Sequence, residues 1–233
     1  METLCIIPAR GGSKSIPKKN IADLGGKPLI AYSIGAAKGA SCVSRVIVST
    51  DNPEIAETSR KFGAEVPFMR PAELALDTTP TIPVIEHALK WLADEEGYRP
   101  DYVLLLQPTE PFVTSKDIDA LFDLVIQKNA DSGITVVEVP RIFHPYHVRH
   151  ETPLGFLEFD DPQLHYEHPN RQSDPKRYAF GNCYIVKSGN FLNEKKLEVG
   201  KRIGLPIDPM NGFDINTPGD LEMARLILKQ KNS

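Results

Sequence analysis

Short apolar runs, β-branched or leucine-rich and bounded by polar or turn-forming residues, recur along the first two-thirds of the chain at Leu4–Pro8, Arg45–Ser49, Tyr102–Leu106 and Ile134–Val139. Runs of this length predict strands buried on both faces, as in a parallel sheet. Between them the pattern switches to helical spacing. Asn52-Pro53 supplies an N-cap and a proline suited to the first helical position ahead of Ile55 and Ala56. Ile82, Ile85, Leu89 and Leu92 form a helical stripe, with Glu86 and Lys90 spaced as a supporting pair one turn apart. Thr114 can cap a helix whose apolar positions are Ile118, Leu121, Phe122 and Val125, and Thr217-Pro218 opens a last helix through Leu221, Ala224, Ile227 and Leu228. Strand-helix alternation of this kind predicts an α/β fold, a three-layer α/β/α arrangement with right-handed crossovers.

The alternation breaks after Pro140. Residues 140–180 hold several prolines and five of the six histidines, and weak strand patterns at Gly155–Phe159 and Asn182–Val186 lie in or just beyond this stretch. The segment reads as an arm inserted in a single 1–233 domain, suited to forming a dimer, and not as a second core. A length of 233 residues agrees with one large domain.

Composition narrows the function. There are 27 Lys and Arg against 31 Asp and Glu, a net charge of −4, so a general nucleic-acid-binding surface is not expected. No apolar run approaches a membrane span, and Met1–Pro8 is too short and lacks the basic start of a signal peptide. The three cysteines, Cys5, Cys42 and Cys183, are far apart and form neither a disulfide framework nor a paired metal spacing, which fits the reducing cytoplasm. Cys183 reads as a small core residue.

The local charge balance is different at the amino terminus. From Thr3 to Ala22 there are four cations, Arg10, Lys14, Lys18 and Lys19, and no acid. They follow directly on the first predicted strand, and open α/β sheets bind ligands beyond the carboxyl ends of their strands. Glycines let backbone N–H groups approach a polyanion while Lys and Arg neutralise it, so a triphosphate is the natural guest; a solvated basic turn is the plainer alternative. The loop has neither the Gly-Lys-Ser/Thr ending of a Walker A loop nor the Gly-x-Gly-x-x-Gly dinucleotide fingerprint.

Several motifs then carry a resemblance. Ile7-Pro8-Ala9-Arg10-Gly11-Gly12-Ser13-Lys14, Pro17-Lys18-Lys19-Asn20 and Leu24-Gly25-Gly26-Lys27-Pro28-Leu29-Ile30 are similar to the opening of the acylneuraminate (nonulosonic acid) cytidylyltransferases. Val46-Ile47-Val48-Ser49-Thr50-Asp51, Arg70-Pro71-Ala72-Glu73-Leu74-Ala75, Leu106-Gln107-Pro108-Thr109, Arg171-Gln172 and the Asp214-to-Leu221 segment continue it in order through nearly the whole chain. The resemblance implies a nucleotide-binding, Rossmann-like, mostly parallel sheet with 140–180 as a dimerisation arm. It also implies transfer of CMP from CTP to the anomeric hydroxyl of a sialic-acid-like 2-keto sugar acid, with Mg²⁺ and release of pyrophosphate.

By the same match, Arg10 and Lys14 would hold the triphosphate, with Ala9, Gly11, Gly12 and Ser13 completing the cradle, Lys19 near the α-phosphate and Asn20 near the nucleoside. Arg70 would reach the nucleotide, against an alternative surface pair with Glu73. Asp77 and Thr81 would line the same cleft, although Thr81 could equally be a helix N-cap. Gln107 and Gln172 would be on the sugar side, Gln107 reading hydroxyls, and Arg171 would capture the acid's carboxylate, contributed to the neighbour's site if the arm crosses in a homodimer. Against this, Arg171 could simply balance Glu167 or Asp174. Asp214 leads as metal ligand, with Asn216 beside it and helix capping as its competing role.

The chain departs from the family pattern at Asn216, where a second aspartate is usual, at Glu110 and Val113, where serine and arginine are usual, at Ser15 for glycine, and at Gly181-Asn182, an inverted Asn-Gly. These departures imply an acid other than ordinary N-acetylneuraminate or a drift toward lost activity. Two alternatives stay open: a 3-deoxy-manno-octulosonate cytidylyltransferase, whose Arg-Leu-Pro is replaced here by Ser15-Ile16-Pro17, and a non-catalytic CTP-binding homologue. His144, His147 and His150 are spaced by three, but Pro145 and the extended-looking surroundings argue against a helical zinc site there.

Overall fold

The computed structural model describes residues 1–231. The strands are β1 (Thr3–Pro8), β2 (Asp23–Leu24), β3 (Lys27–Pro28), β4 (Arg45–Ser49), β5 (Tyr102–Leu106), β6 (Ser132–Glu138), β7 (Arg149–Glu151), β8 (Leu157–Phe159), β9 (Tyr178–Lys187) and β10 (Arg202–Pro206). The α-helices are α1 (Ile30–Gly39), α2 (Pro53–Lys61), α3 (Thr81–Glu95), α4 (Ser115–Gln127), α5 (Pro162–Glu167), α6 (Ser188–Glu194) and α7 (Pro218–Lys231). Six strands form the central sheet in the order β10-β6-β9-β5-β1-β4. All run parallel except β9, which pairs antiparallel with both β5 and β6.

Helices cover both faces, which explains the unbroken apolar runs. Along β1, Cys5 and Ile7 pack with Ile30, Ile34 and the α4 residues Ile118 and Leu121, while Leu4 and Ile6 pack with Ile85, Leu89 and Leu92 of α3. Full burial of each such Leu or Ile contributes about 1.5–3 kcal/mol relative to exposure. Helix starts are set by side-chain caps: Asn52 Oδ1 accepts from the amides of Glu54 (2.9 Å) and Ile55 (3.1 Å), and Thr114 Oγ1 accepts from Asp117 N (3.1 Å). The expected Glu86–Lys90 pair does not form. Lys90 pairs instead with Asp94 (2.5 Å), the acid one turn further on, and Glu86 with the sequence-distant Lys195 (2.5 Å).

A third, smaller cluster matters most for the site. Ile16, Leu24 and Leu29 of the amino-terminal loop pack with Ile215 and with Leu221, Ala224 and Ile227 of α7. The basic loop is thereby held against the end of the chain. The strand predicted at Asn182–Val186 is the ten-residue β9, and it inserts into the middle of the main sheet. Gly181 is needed there, since a Cβ would come within 2.8 Å of the Thr135 backbone, and Asn182 is fully buried with Oδ1 accepting from Thr135 Oγ1 (2.9 Å). The inverted Gly-Asn pair is therefore a core device and not a sugar-side change. Val113 is also a core residue, packed beside α4. The arm contains the β7–β8 hairpin and α5, and among the described residues no helix is long and apolar enough to cross a membrane.

Candidate active site

Beyond the carboxyl ends of β1 and β5 lies a cleft of about 400 Å³. Its walls bring together Arg10, Ser13, Lys14, Ser15, Lys19 and Asn20 from the first loop with Arg70 and Thr81, with Gln107 after β5, and with Asn216 before α7. Residues scattered over two hundred positions converge because parallel strands present all their carboxyl ends on one edge.

The loop is built by backbone constraints. Ala9, fully buried, extends the β1–β4 pairing through its amide to Ser49 O (2.9 Å). Gly11 donates its amide to Asp51 Oδ1 (2.9 Å), and a Cβ there would meet Asn52 Nδ2 at 2.8 Å, so only glycine fits. Gly12 faces open space. Asn20 is buried, and its Nδ2 donates to Arg10 O (2.9 Å), which fixes the loop from below. Lys18 is turned away by a left-handed backbone (φ 51°) and pairs with Glu54 (2.6 Å). Lys19 turns inward instead. Its Nζ donates to Ile215 O (2.9 Å) and lies 3.5 Å from Asn216 Oδ1. Burial lowers the Lys19 pKa below the ordinary lysine value, with Asp214 opposing that shift.

Arg70 is buried and does not pair with Glu73. Its Nε donates to Ser49 Oγ (3.1 Å), another guanidinium N–H bonds Ser49 O, and burial lowers its pKa to about 10. Asp77 pairs with both Arg10 and Lys14, whose hydrogen bonds hold its carboxyl below the usual range. It therefore sits on the two cleft-lining cations, outside the cleft wall itself. Thr81 is the first residue of α3, whose N-cap position is Pro80 without any side-chain cap, so Thr81 faces the cleft and the capping alternative falls away. Gln107 lines the cleft while its carbonyl accepts from Ser33 Oγ (3.0 Å).

Asp214 is exposed at the cleft's end, and its Oδ2 accepts from Asn216 Nδ2 (2.6 Å). It does not cap α7. That role belongs to Thr217, whose Oγ1 accepts from Asp220 N (3.2 Å), while Asp220 Oδ2 accepts in return from the amides of Thr217 (2.7 Å) and Asn216 (3.0 Å). A residue the sequence reading noted only as a departure proves to be the most unusual: Glu110 is 2% exposed, its Oε2 has no hydrogen-bond partner, and burial followed by the Asp214 charge pushes its pKa up to about 9. An acid in a proline-flanked turn directly after a buried strand was the available signal.

Arg171 and Gln172 are not in this cleft. Both are exposed on a short 3-10 turn of the arm, and Arg171 lines a separate cavity of about 510 Å³ together with Arg141, Lys176 and Arg177. Asp174 is paired with Arg141 (2.9 Å) and His147 (3.0 Å), not with Arg171. Within one chain the two halves of the expected site are thus apart.

The family model described as "Cytidylyltransferase" matches residues 4–168. The chain is 47% identical over 236 residues to CMP-N,N'-diacetyllegionaminic acid synthase of Legionella pneumophila subsp. pneumophila, covering 98% of this chain and 97% of that protein. It is 31% identical over 230 residues to pseudaminic acid cytidylyltransferase of Campylobacter jejuni, with 98% and 97% covered. A solved structure of CMP:2-keto-3-deoxy-manno-octonic acid synthetase complexed with CTP superposes with a TM-score of 0.72 at 17% identity, covering 99% of this chain and all of that one, and shares its fold.

Proposed function

The chain belongs to the cytidylyltransferase family, and from that premise we propose that it transfers CMP from CTP to the anomeric hydroxyl of a nonulosonic acid, releasing pyrophosphate. The observation that carries this reading is the meeting of Arg10, Lys14, Lys19 and Arg70 with Gln107 and Asn216 in one cleft. Four cations suit a triphosphate, and two side-chain amides suit a polyol. The 47% identity to a legionaminic acid synthase favours a diacetylated nine-carbon acid over an octulosonic one.

The acid's hydroxyl must approach the α-phosphorus in line, while charge building on the phosphoryl and leaving oxygens is stabilised. Lys19, immobilised by Ile215 O, is held ready for the α-phosphate, and Arg10 with Lys14 would take the leaving pyrophosphate once Asp77 releases them. Gln107, anchored through its carbonyl, would orient the sugar.

The donor set fits Mg²⁺. Asp214 and the Asn216 carbonyl oxygen lie at the cleft's end, and the buried Glu110 Oε2, without a partner beside Asp214, is an orphaned oxygen of the hard type that this ion takes. When bound, the ion would neutralise phosphate charge and polarise the reacting phosphoryl group. Asp214 would supply the charge that Asn216 does not.

The arm supports a homodimer. Ile142, Phe143, Leu154, Phe156, Leu157 and Tyr166 are all at least 65% exposed, a concentration of apolar surface suited to a second copy. Arg171, remote from its own chain's cleft, would then meet the carboxylate of the acid bound by the partner subunit.

The deciding experiment is pyrophosphate release with CTP and Mg²⁺ over N-acetylneuraminic, legionaminic, pseudaminic and octulosonic acids, with CTP binding measured in parallel. Release with a nine-carbon acid is the expected result. Release with octulosonic acid alone would replace the substrate, and silence with CTP bound would favour the non-catalytic homologue that Asn216 suggests.

A further inference from the structure

We propose that the arm holds one divalent transition-metal ion of the Zn²⁺ class through His144, His147 and Asp174. One nitrogen of each imidazole and one carboxylate oxygen lie within 4.8 Å of one another. The sequence argued against a zinc site because Pro145 forbids a helix, but no helix is required. A tight turn, closed by His147 N to His144 O (2.8 Å), brings the two histidines together, and a distant segment delivers Asp174.

The surroundings of the three groups are those of a ligand set. His144 Nε2 bonds Pro175 O (2.9 Å), His147 Nδ1 lies 3.0 Å from His165 Nδ1, and Arg141 Nη1 orients the Asp174 carboxylate (2.9 Å). Fixing the far edge of each ligand in this way sets ring orientation and tautomer in metal sites. Two imidazoles and one carboxylate match Zn²⁺ preferences, whereas Mg²⁺ and Ca²⁺ take all-oxygen sets.

The fold also has a use for such an ion. Between residues 137 and 180, His144 is the only buried residue. The β7–β8 hairpin pairs only three residues on each strand, and an isolated two-stranded hairpin is marginal in water. With no apolar interior, the arm is the kind of segment that a metal staples, the ion linking the 144–147 turn to the 174 segment across the hairpin. His147 Nε2 faces Asp174 (3.0 Å) and His144 Nδ1 accepts from Tyr146 N (3.2 Å), and a metal would take the place of both contacts.

The test uses the full chain, freed of metal by chelator, and does not depend on its activity. Titration with Zn²⁺ should show one saturable site per chain, slow proteolysis within 140–180 and raise the melting temperature. Co²⁺ in its place should give the visible absorption of a histidine-bound ion. His147→Ala and Asp174→Asn should weaken binding by about a hundredfold or more, whereas His150→Ala, whose side chain is exposed, should not. Far-UV circular dichroism reports that the variants are folded. A wild-type chain with no saturable site and no Co²⁺ absorption, or equal binding by Asp174→Asn, would overturn the assignment.

Discussion

Arg10 and Asp77, 67 residues apart in the chain, close on each other at the mouth of the cleft, and Lys14 reaches the same carboxylate. The two cations offered to a polyphosphate are thus already engaged by an internal anion. On the proposed function, a nucleotide would have to displace Asp77 before using them, so this carboxylate would compete with the ligand's own charge.

Asp77→Asn should therefore bind CTP more tightly. Because the pair is partly exposed, the gain is modest, roughly three- to tenfold in Kd at low salt and smaller as salt screens it. Calorimetry with CTP at two ionic strengths measures it. Weaker binding by the variant would mean that Asp77 contacts the nucleotide directly.

Lys19 is half-buried and held by Ile215 O, and burial lowers its pKa while the Asp214 charge opposes that shift. Lys19→Ala should lower kcat by about a hundredfold or more if the ammonium stabilises charge on the reacting phosphate. Steady-state pyrophosphate release measures it, and unchanged turnover would remove Lys19 from the mechanism.

Glu110 makes stability depend on pH in an unusual sense. Its folded-state pKa of about 9 lies above the ordinary carboxyl value, so the folded chain holds a proton that the unfolded chain gives up. Stability from this group is present in full in acid and falls as pH rises from about 4.5 toward 9. In chelator, Glu110→Gln should match the wild type near pH 4 and melt progressively above it as the pH is raised to 9. Parallel melting curves across that range would mean that the carboxyl finds a partner in solution.

Arg171→Ala should raise KM for the acid and spare KM for CTP, since the side chain lies outside its own nucleotide cleft. If the arm serves the neighbouring subunit, mixing Lys19→Ala and Arg171→Ala chains should restore about a quarter of wild-type sites, because one site of each mixed dimer is intact. Mixtures no more active than the separate variants would place Arg171 elsewhere.

Local pattern alone determined the sheet edge and the loop on it. The runs at Leu4–Pro8, Arg45–Ser49 and Tyr102–Leu106 are apolar at successive positions because helices cover both faces, and the caps at Asn52 and Thr114 act within three residues of themselves. The acid-free stretch with Arg10, Lys14 and Lys19 was legible for the same reason, being contiguous. What only the tertiary structure decided depends on partners distant in sequence. Asp77 reaches back to Arg10, Arg70 turns inward to Ser49, and β9 inserts antiparallel between β5 and β6. Glu110 was visible as a letter, but its carboxyl is buried and unpartnered only in the folded chain, where Ile215 N donates to Thr109 O (2.9 Å) and the charge of Asp214 acts on it. The histidines of the arm likewise had spacing without meaning until Asp174 was folded against them. Charge and burial act through space at a few ångströms, and sequence separation carries no information about which residues will share that distance.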